Sequence, residues 1–276
     1  MRLLFITAFI AAAWAVGYTQ PLTKGNYQLR FNQQYTASNS FFDSDEESIK
    51  IRTNSFSSTN FSVDYALTNR FIIHATVPVF VRSTINRFQY NQTGKTEPGS
   101  SLNSVGDAEV GVKVNLFQRL PFQTIGFATL GLPFAKKDKV GLDTDLQTGD
   151  GEFNQIVGVK LQKYFSSFFA NGYTSFNNRS KDFSNEIRYG FEVGYLGNKF
   201  NVTARLNAIE SLFDKTAPVS QNGIFSNHRE FVSPGIEVLY KITKRVGVVG
   251  SSDFVIAGRN TLNAPLFGFG VQLRGR

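Results

Sequence analysis

The feature that most narrows what this chain can fold into is a period of two that runs almost from end to end. It is broken by connections that are short and long in strict turn. Ile187, Tyr189, Phe191, Val193 and Tyr195 share one face, and Arg188, Gly190, Glu192 and Gly194 the other. After Gly197-Asn198 the apolar face resumes with Phe200, Val202, Ala204, Leu206 and Ala208, opposite Asn201, Thr203, Arg205 and Asn207. In GDAEVGVKVNLF, Ala108, Val110, Val112, Val114 and Leu116 alternate with Asp107, Glu109, Gly111, Lys113 and Asn115. The chain end sets Phe267, Phe269, Val271 and Leu273 against Gly268, Gly270, Gln272 and Arg274. Successive side chains of a strand point to opposite faces, so the pattern predicts strands that are apolar on one side and polar on the other.

Five connections are tight: YALTNRF (65–71), LFQRLPF (116–122), KYFSSFF (163–169), YLGNKF (195–200) and YKITKRV (240–246). Aromatics flank all five, and each carries Lys or Arg. Longer polar segments at 37–47, 83–104, 135–150, 178–185, 211–228 and 258–263 lie between them. The rhythm predicts about twelve strands of roughly 10–14 residues. A soluble sandwich also alternates its faces, but its connections need not alternate in length. Inside a bilayer, backbone groups exposed to lipid find no water, so a sheet spans only as a closed barrel. Its apolar face then meets lipid, its polar face lines the lumen, and aromatics mark the interfaces. The expected fold is therefore all-β: a transmembrane antiparallel up-and-down β-barrel with short periplasmic turns and long extracellular loops. An exported soluble sandwich is the alternative. Two runs are poorly phased: 122–134, apolar on both faces, and 229–241, where Pro234 interrupts an apolar face.

Composition fits this picture. The charged share is 18%, below the roughly 25% of soluble domains, while Phe reaches 28 of 276 residues. Beyond the N-terminus no apolar run approaches the ~20 residues a spanning helix needs. The first 19 residues read as a secretory signal: Arg2, an apolar stretch at 3–13, then the small-x-small motif Ala13-Trp14-Ala15. Cleavage is expected after Ala15 or after Thr19, leaving 20–276 as a single barrel domain in the outer membrane. An exported chain without cysteine has neither disulfides nor thiolate chemistry. The net charge of +8 is spread along the sequence with no basic block, which argues against a nucleic-acid partner.

The acidic stretch DTDLQTGDGE (143–152) invites comparison with a calcium loop. Counted from Asp143, position 3 is Asp145, but Gln147, Thr148 and Asn154 occupy positions 5, 6 and 12, where an oxygen ligand, Gly and Glu belong. Asp143, Asp145 and Asp150 are thus weak metal candidates, and the stretch reads as a hairpin loop with Gly149 and Gly151 permitting turn conformations. Catalysis has little to build on. The sequence holds two histidines, His74 and His228, with no G-x-S-x-G and no H-E-x-x-H. No catalytic residue and no cofactor are expected, and a lipid hydrolase is a remote alternative. The best-phased pore-lining candidates are Asp107, Glu109, Lys113, Arg188, Glu192 and Arg205. Their mixed signs allow a lumen closed by pairing between strands or a water-filled pore. Inward glycines such as Gly111, Gly190, Gly194, Gly268 and Gly270 leave space and favour the pore.

The order SVGDAEVGVKVNLF, IGFATLGLPFAKKD, TGDGEFNQIVGVKLQKYFSSFFANGYTSF resembles the outer-membrane family named for the meta-pathway of phenol degradation. That family has a G-D-x-x-x-G-x-K strand, a strand ending in Leu-Pro, and a T-G-x-G loop. They correspond here to Gly106, Asp107, Gly111 and Lys113, then Leu132-Pro133, then Thr148, Gly149 and Gly151. The specific part covers about a quarter of the chain. The resemblance implies an outer-membrane barrel that passes small organic molecules, and it brings no catalytic motif. One departure is the end FGFGVQLRGR, which lacks the terminal aromatic of many bacterial barrels, although Phe267 and Phe269 can serve. The expected function is a passive channel for small molecules, including hydrophobic or aromatic ones, with the bilayer and a small solute as partners. A closed structural or docking barrel whose long loops bind a partner is the alternative.

Overall fold

The computed structural model describes residues 22–89, 94–117, 122–140, 144–217 and 224–276, so the signal expected at 1–19 lies outside the described residues. Twelve strands form the wall: β1 Tyr27–Phe42, β2 Ser48–Ala66, β3 Phe71–Ile85, β4 Ala108–Phe117, β5 Gln123–Leu132 and β6 Asn154–Phe165. They continue with β7 Phe168–Arg179, β8 Glu186–Leu196, β9 Phe200–Ser211, β10 Glu230–Lys241, β11 Val246–Phe254 and β12 Pro265–Gly275. Each strand pairs antiparallel with its sequence neighbours, and β12 pairs with β1, so the sheet closes. Closure leaves no unpaired edge for lipid to meet.

The alternation read from the sequence becomes the two faces of this wall. Phe31, Val112, Val157, Tyr189, Leu206 and Phe269 stand exposed on the outside, while Asn54, Asn115, Asn171, Asn177 and Gln272 are buried inside. At the short-turn end Phe71, Phe117, Phe168, Tyr195, Phe200 and Tyr240 form an exposed ring. Cross-strand register stacks Phe168 on Tyr195 and Phe200 on Tyr240, with ring centroids 5.3 and 4.9 Å apart. Such a girdle marks a membrane interface. Two of the turns share one device. In LTNRF and ITKRV, Thr68 and Thr243 accept two backbone N–H bonds each, from Arg70 and Phe71 and from Arg245 and Val246.

The two poorly phased runs resolve. In β5, Ile125, Phe127 and Thr129 face inward opposite Asn115, Lys113 and Gly111, whereas Ala128 and Leu130 face out. Pro234 stands in the two-residue gap where β10 leaves β11 and pairs instead with residues 257–259, a break at which a missing N–H is tolerated.

A strand of roughly 9–11 residues crosses a bilayer. β1, β2 and β3, with 16, 19 and 15 residues, exceed that and carry the wall beyond the membrane at the loop end. There Phe41, Leu262 and Ala264 form a small apolar core with Ile51 and Ile224. The long connections are folded onto the wall: residues 100–104 pair with β3, 261–262 with β1, and 137–140 form a hairpin with 144–147.

Candidate channel lumen and its rim

Most of the inward charges among the described residues sit in four paired groups. On β2–β4, Asp64 accepts from Lys113 Nζ at 2.7 Å and lies 2.9 Å from His74 Nδ1. On β6–β8, Glu192 receives Asn171 Nδ2 at 2.7 Å and faces Lys160 at 3.6 Å. Arg205 on β9 forks onto Asp253 of β11 at 2.7 and 2.5 Å and reaches Glu237 at 3.4 Å. Arg30 of β1 bridges across to the same Glu237 at 3.1 Å and donates to Gln272 at 3.0 Å. In the fourth group Glu186 is buried among three guanidinium groups: Arg188 at 2.7 Å, Arg179 at 3.0 Å and Arg229 at 3.9 Å. A carboxylate taken out of water is costly unless paired in this way.

Lys113, Arg188, Glu192 and Arg205 therefore stand on the inner face in ion pairs, and Glu109 shares that face of β4. Asp107 lies one residue outside β4, at the rim. The inward glycines are seats more than voids. The Tyr173 ring covers Gly190 and donates its hydroxyl to Asn207 at 3.0 Å, the Phe169 ring covers Gly194, and the Asp253 carboxylate occupies the place of a side chain at Gly235. This corrects the expectation that Gly190 and Gly194 leave the lumen open. Gly235 was not singled out in the sequence, because its role depends on a carboxylate one strand away.

At the rim, residues separated by more than forty positions make one clamp. Asp107 accepts the Ala135 N–H and the Gly151 N–H, both at 2.8 Å. Thr148 donates to the Val105 carbonyl at 2.9 Å and accepts from the Lys136 N–H at 2.9 Å. A Cβ on Gly149 would overlap the Asp107 carboxylate, and one on Gly106 would press on Pro78. Gly151 has a φ of 66°, the left-handed conformation expected of a turn glycine, whereas Gly149 is required by close approach alone. The stretch 144–152 is thus docked on the rim and not a free loop. Burial pushes the Asp107 carboxyl above the usual carboxylate range; the two backbone N–H groups oppose the shift and Asp150 adds to it. Burial likewise raises Glu152, against its bonds to Ser180 and Lys181.

Of the metal candidates, Asp143 and the side chain of Asp145 fall outside the described residues. Asp150 is taken by Asn154 at 3.0 Å and by Arg179 at 3.6 Å. The histidines lie apart. His228 contacts the Lys215 carbonyl at 2.8 Å in the loop region, while His74 Nε2 lies 3.3 Å from Thr76 Oγ1. Asp64, His74 and Thr76 follow the order of a proton relay, but residues 72–78 and 60–66 are matched one to one in the β-ladder. Thr76 lies in a strand paired on both sides, with Ser62 and with Glu109, so its backbone neighbours are engaged in the ladder.

No family model and no curated protein matches the sequence. Solved structures match along nearly the whole chain. A crystal structure of an outer membrane channel from Pseudomonas putida F1 superposes with a TM-score of 0.66 at 11% identity, covering 95% of this chain and 100% of that one. The NanC porin gives 0.53 at 10% identity over 89% and 98%. The translocator domain of the autotransporter NalP from Neisseria meningitidis gives 0.52 at 11% over 92% and 89%. The chain has the fold of an outer-membrane β-barrel. At these identities the likeness is one of fold, shared by channels and by a translocator.

Proposed function

We propose that this protein is an outer-membrane channel for the passive passage of small molecules, including hydrophobic or aromatic ones, exported by a signal at residues 1–19. The observation that carries the reading is a closed wall with an apolar exterior and a largely polar inner face, on which Lys113, Arg188, Glu192 and Arg205 form ion pairs. Two structural neighbours, an outer membrane channel and a porin, agree with it. The apolar or aromatic solute class rests on the resemblance of residues 105–176 to the family named for phenol degradation. Passive flow down a gradient requires no cofactor and no energy-coupling partner.

The test is single-channel recording of the folded barrel in a planar bilayer, after heat-modifiable migration on a gel verifies the fold. Discrete, stable current steps are expected. A folded barrel that carries no current would overturn the reading and favour a docking role for its loops.

A further inference from the structure

Between β5 and β10 the register aligns six inward residues in one row: Phe127, Gly158, Ser175, Arg188, Ile209 and Phe231. Gly158 has no side chain, and the edge of the Phe127 ring lies over it beside Ser175. The Phe127 ring thus covers Gly158 beside Ser175, and Arg188 stands two strands further along the same row. On the far side of Arg188 stand Ile209 and Phe231, the latter with the Arg229 guanidinium 5.6 Å from its ring centre. Arg188 spends Nε and Nη2 on a single oxygen, Glu186 Oε2, at 3.0 and 2.7 Å. Its Nη1 edge makes neither bond, and the side chain keeps 24% of its exposure. Elsewhere in the lumen each arginine has a different setting. Arg205 is forked onto Asp253, and Arg30 is held between Glu237 and Gln272.

A guanidinium with a free edge, in one row with an aromatic ring two strands' width away, is suited to a carboxylate that carries a flat apolar body. The guanidinium groups of Arg179, Arg188 and Arg229 are matched by the carboxylates of Glu186, Asp150 and Glu109, so charge alone is a weak attractor here. A small hydrated anion is therefore expected to pass without stopping. We propose that the lumen holds a binding site for a small organic acid with a flat apolar body, its carboxylate on Arg188 and its body against Phe127. The proposal rests on the reading of the lumen as a solute path and names the solute class that path would retain.

The experiment is calorimetric titration of the folded, detergent-held barrel with three probes: benzoate, benzyl alcohol (the same body without charge) and acetate (the same charge without the body). Benzoate is expected to bind saturably, with the other two weaker by at least about tenfold, the scale of one charge-assisted hydrogen bond. Arg188→Gln and Phe127→Leu should each weaken benzoate by a similar factor. Phe127→Leu keeps apolar bulk over Gly158, so it tests the site even if Arg188→Gln fails to fold. Equal affinity for all three probes, no benzoate binding, or full binding by the Phe127→Leu barrel would overturn the proposal. A barrel that conducts but does not select benzoate refutes this site and leaves the channel standing. One that selects benzoate but carries no current keeps the site and refutes the channel.

Discussion

At the level of single residues, adjacent positions on one strand live in different solvents. Val159 on β6 faces outward with its side chain exposed, and Lys160 beside it faces Glu192 inside. Val159→Arg should cost about 2–4 kcal/mol, the price of a cation near the lipid midplane, whereas Lys160→Gln should cost less than about 1 kcal/mol because the pair is partly solvated. Urea titration of refolding into vesicles measures both, and equal costs would contradict the assigned faces. The alternation of these residues was legible in the sequence, because the bilayer demands it at every second position. The packing of Tyr173 on Gly190, or of Asp253 over Gly235, was not. It depends on which residue register brings alongside from the next strand, and no local pattern records that.

At the level of elements, the rim clamp joins the start of β4 to residues 135–136 and 148–151. The sequence showed its parts only as scattered motif residues, Gly106-Asp107 and Thr148-Gly149-x-Gly151. Their common purpose became visible once Asp107 was seen to accept two N–H groups from the far loop. Asp107→Ala leaves those donors without their acceptor and should weaken docking by about 1–3 kcal/mol. Hydrogen exchange of residues 133–153 should accelerate accordingly, and unchanged protection would remove Asp107 from this role. The pH dependence has a definite sign. Folding raises the carboxyls of Asp107 and Glu152, so their protonated forms favour the docked state. That contribution is full below the ordinary carboxylate range and is lost as pH rises through the raised values. After correction for intrinsic exchange, the loop should be better protected at acid pH than at neutral pH, and Asp107→Ala should flatten the difference.

At the level of the whole molecule, Arg30 and Arg205 reach Glu237 from opposite sides and tie β1, β9 and β10 together across the inner wall. Glu237→Gln removes the charge they share, so the reversal potential in a salt gradient should move toward that of the anion; an unmoved potential would place this group away from the ion path. The sequence by itself determined the barrel class, the side of the sheet that meets lipid and the alternation of turn and loop ends. These follow from rules acting on every residue: a strand has period two, and a bilayer tolerates no unpaired backbone. Only the tertiary structure decided which charges pair, which glycines are covered, how residues 135 and 144–152 dock and how Arg188 comes into one row with Phe127. Those contacts join strands brought together by register and closure, and their energies depend on a neighbour that lies tens of residues away in the chain.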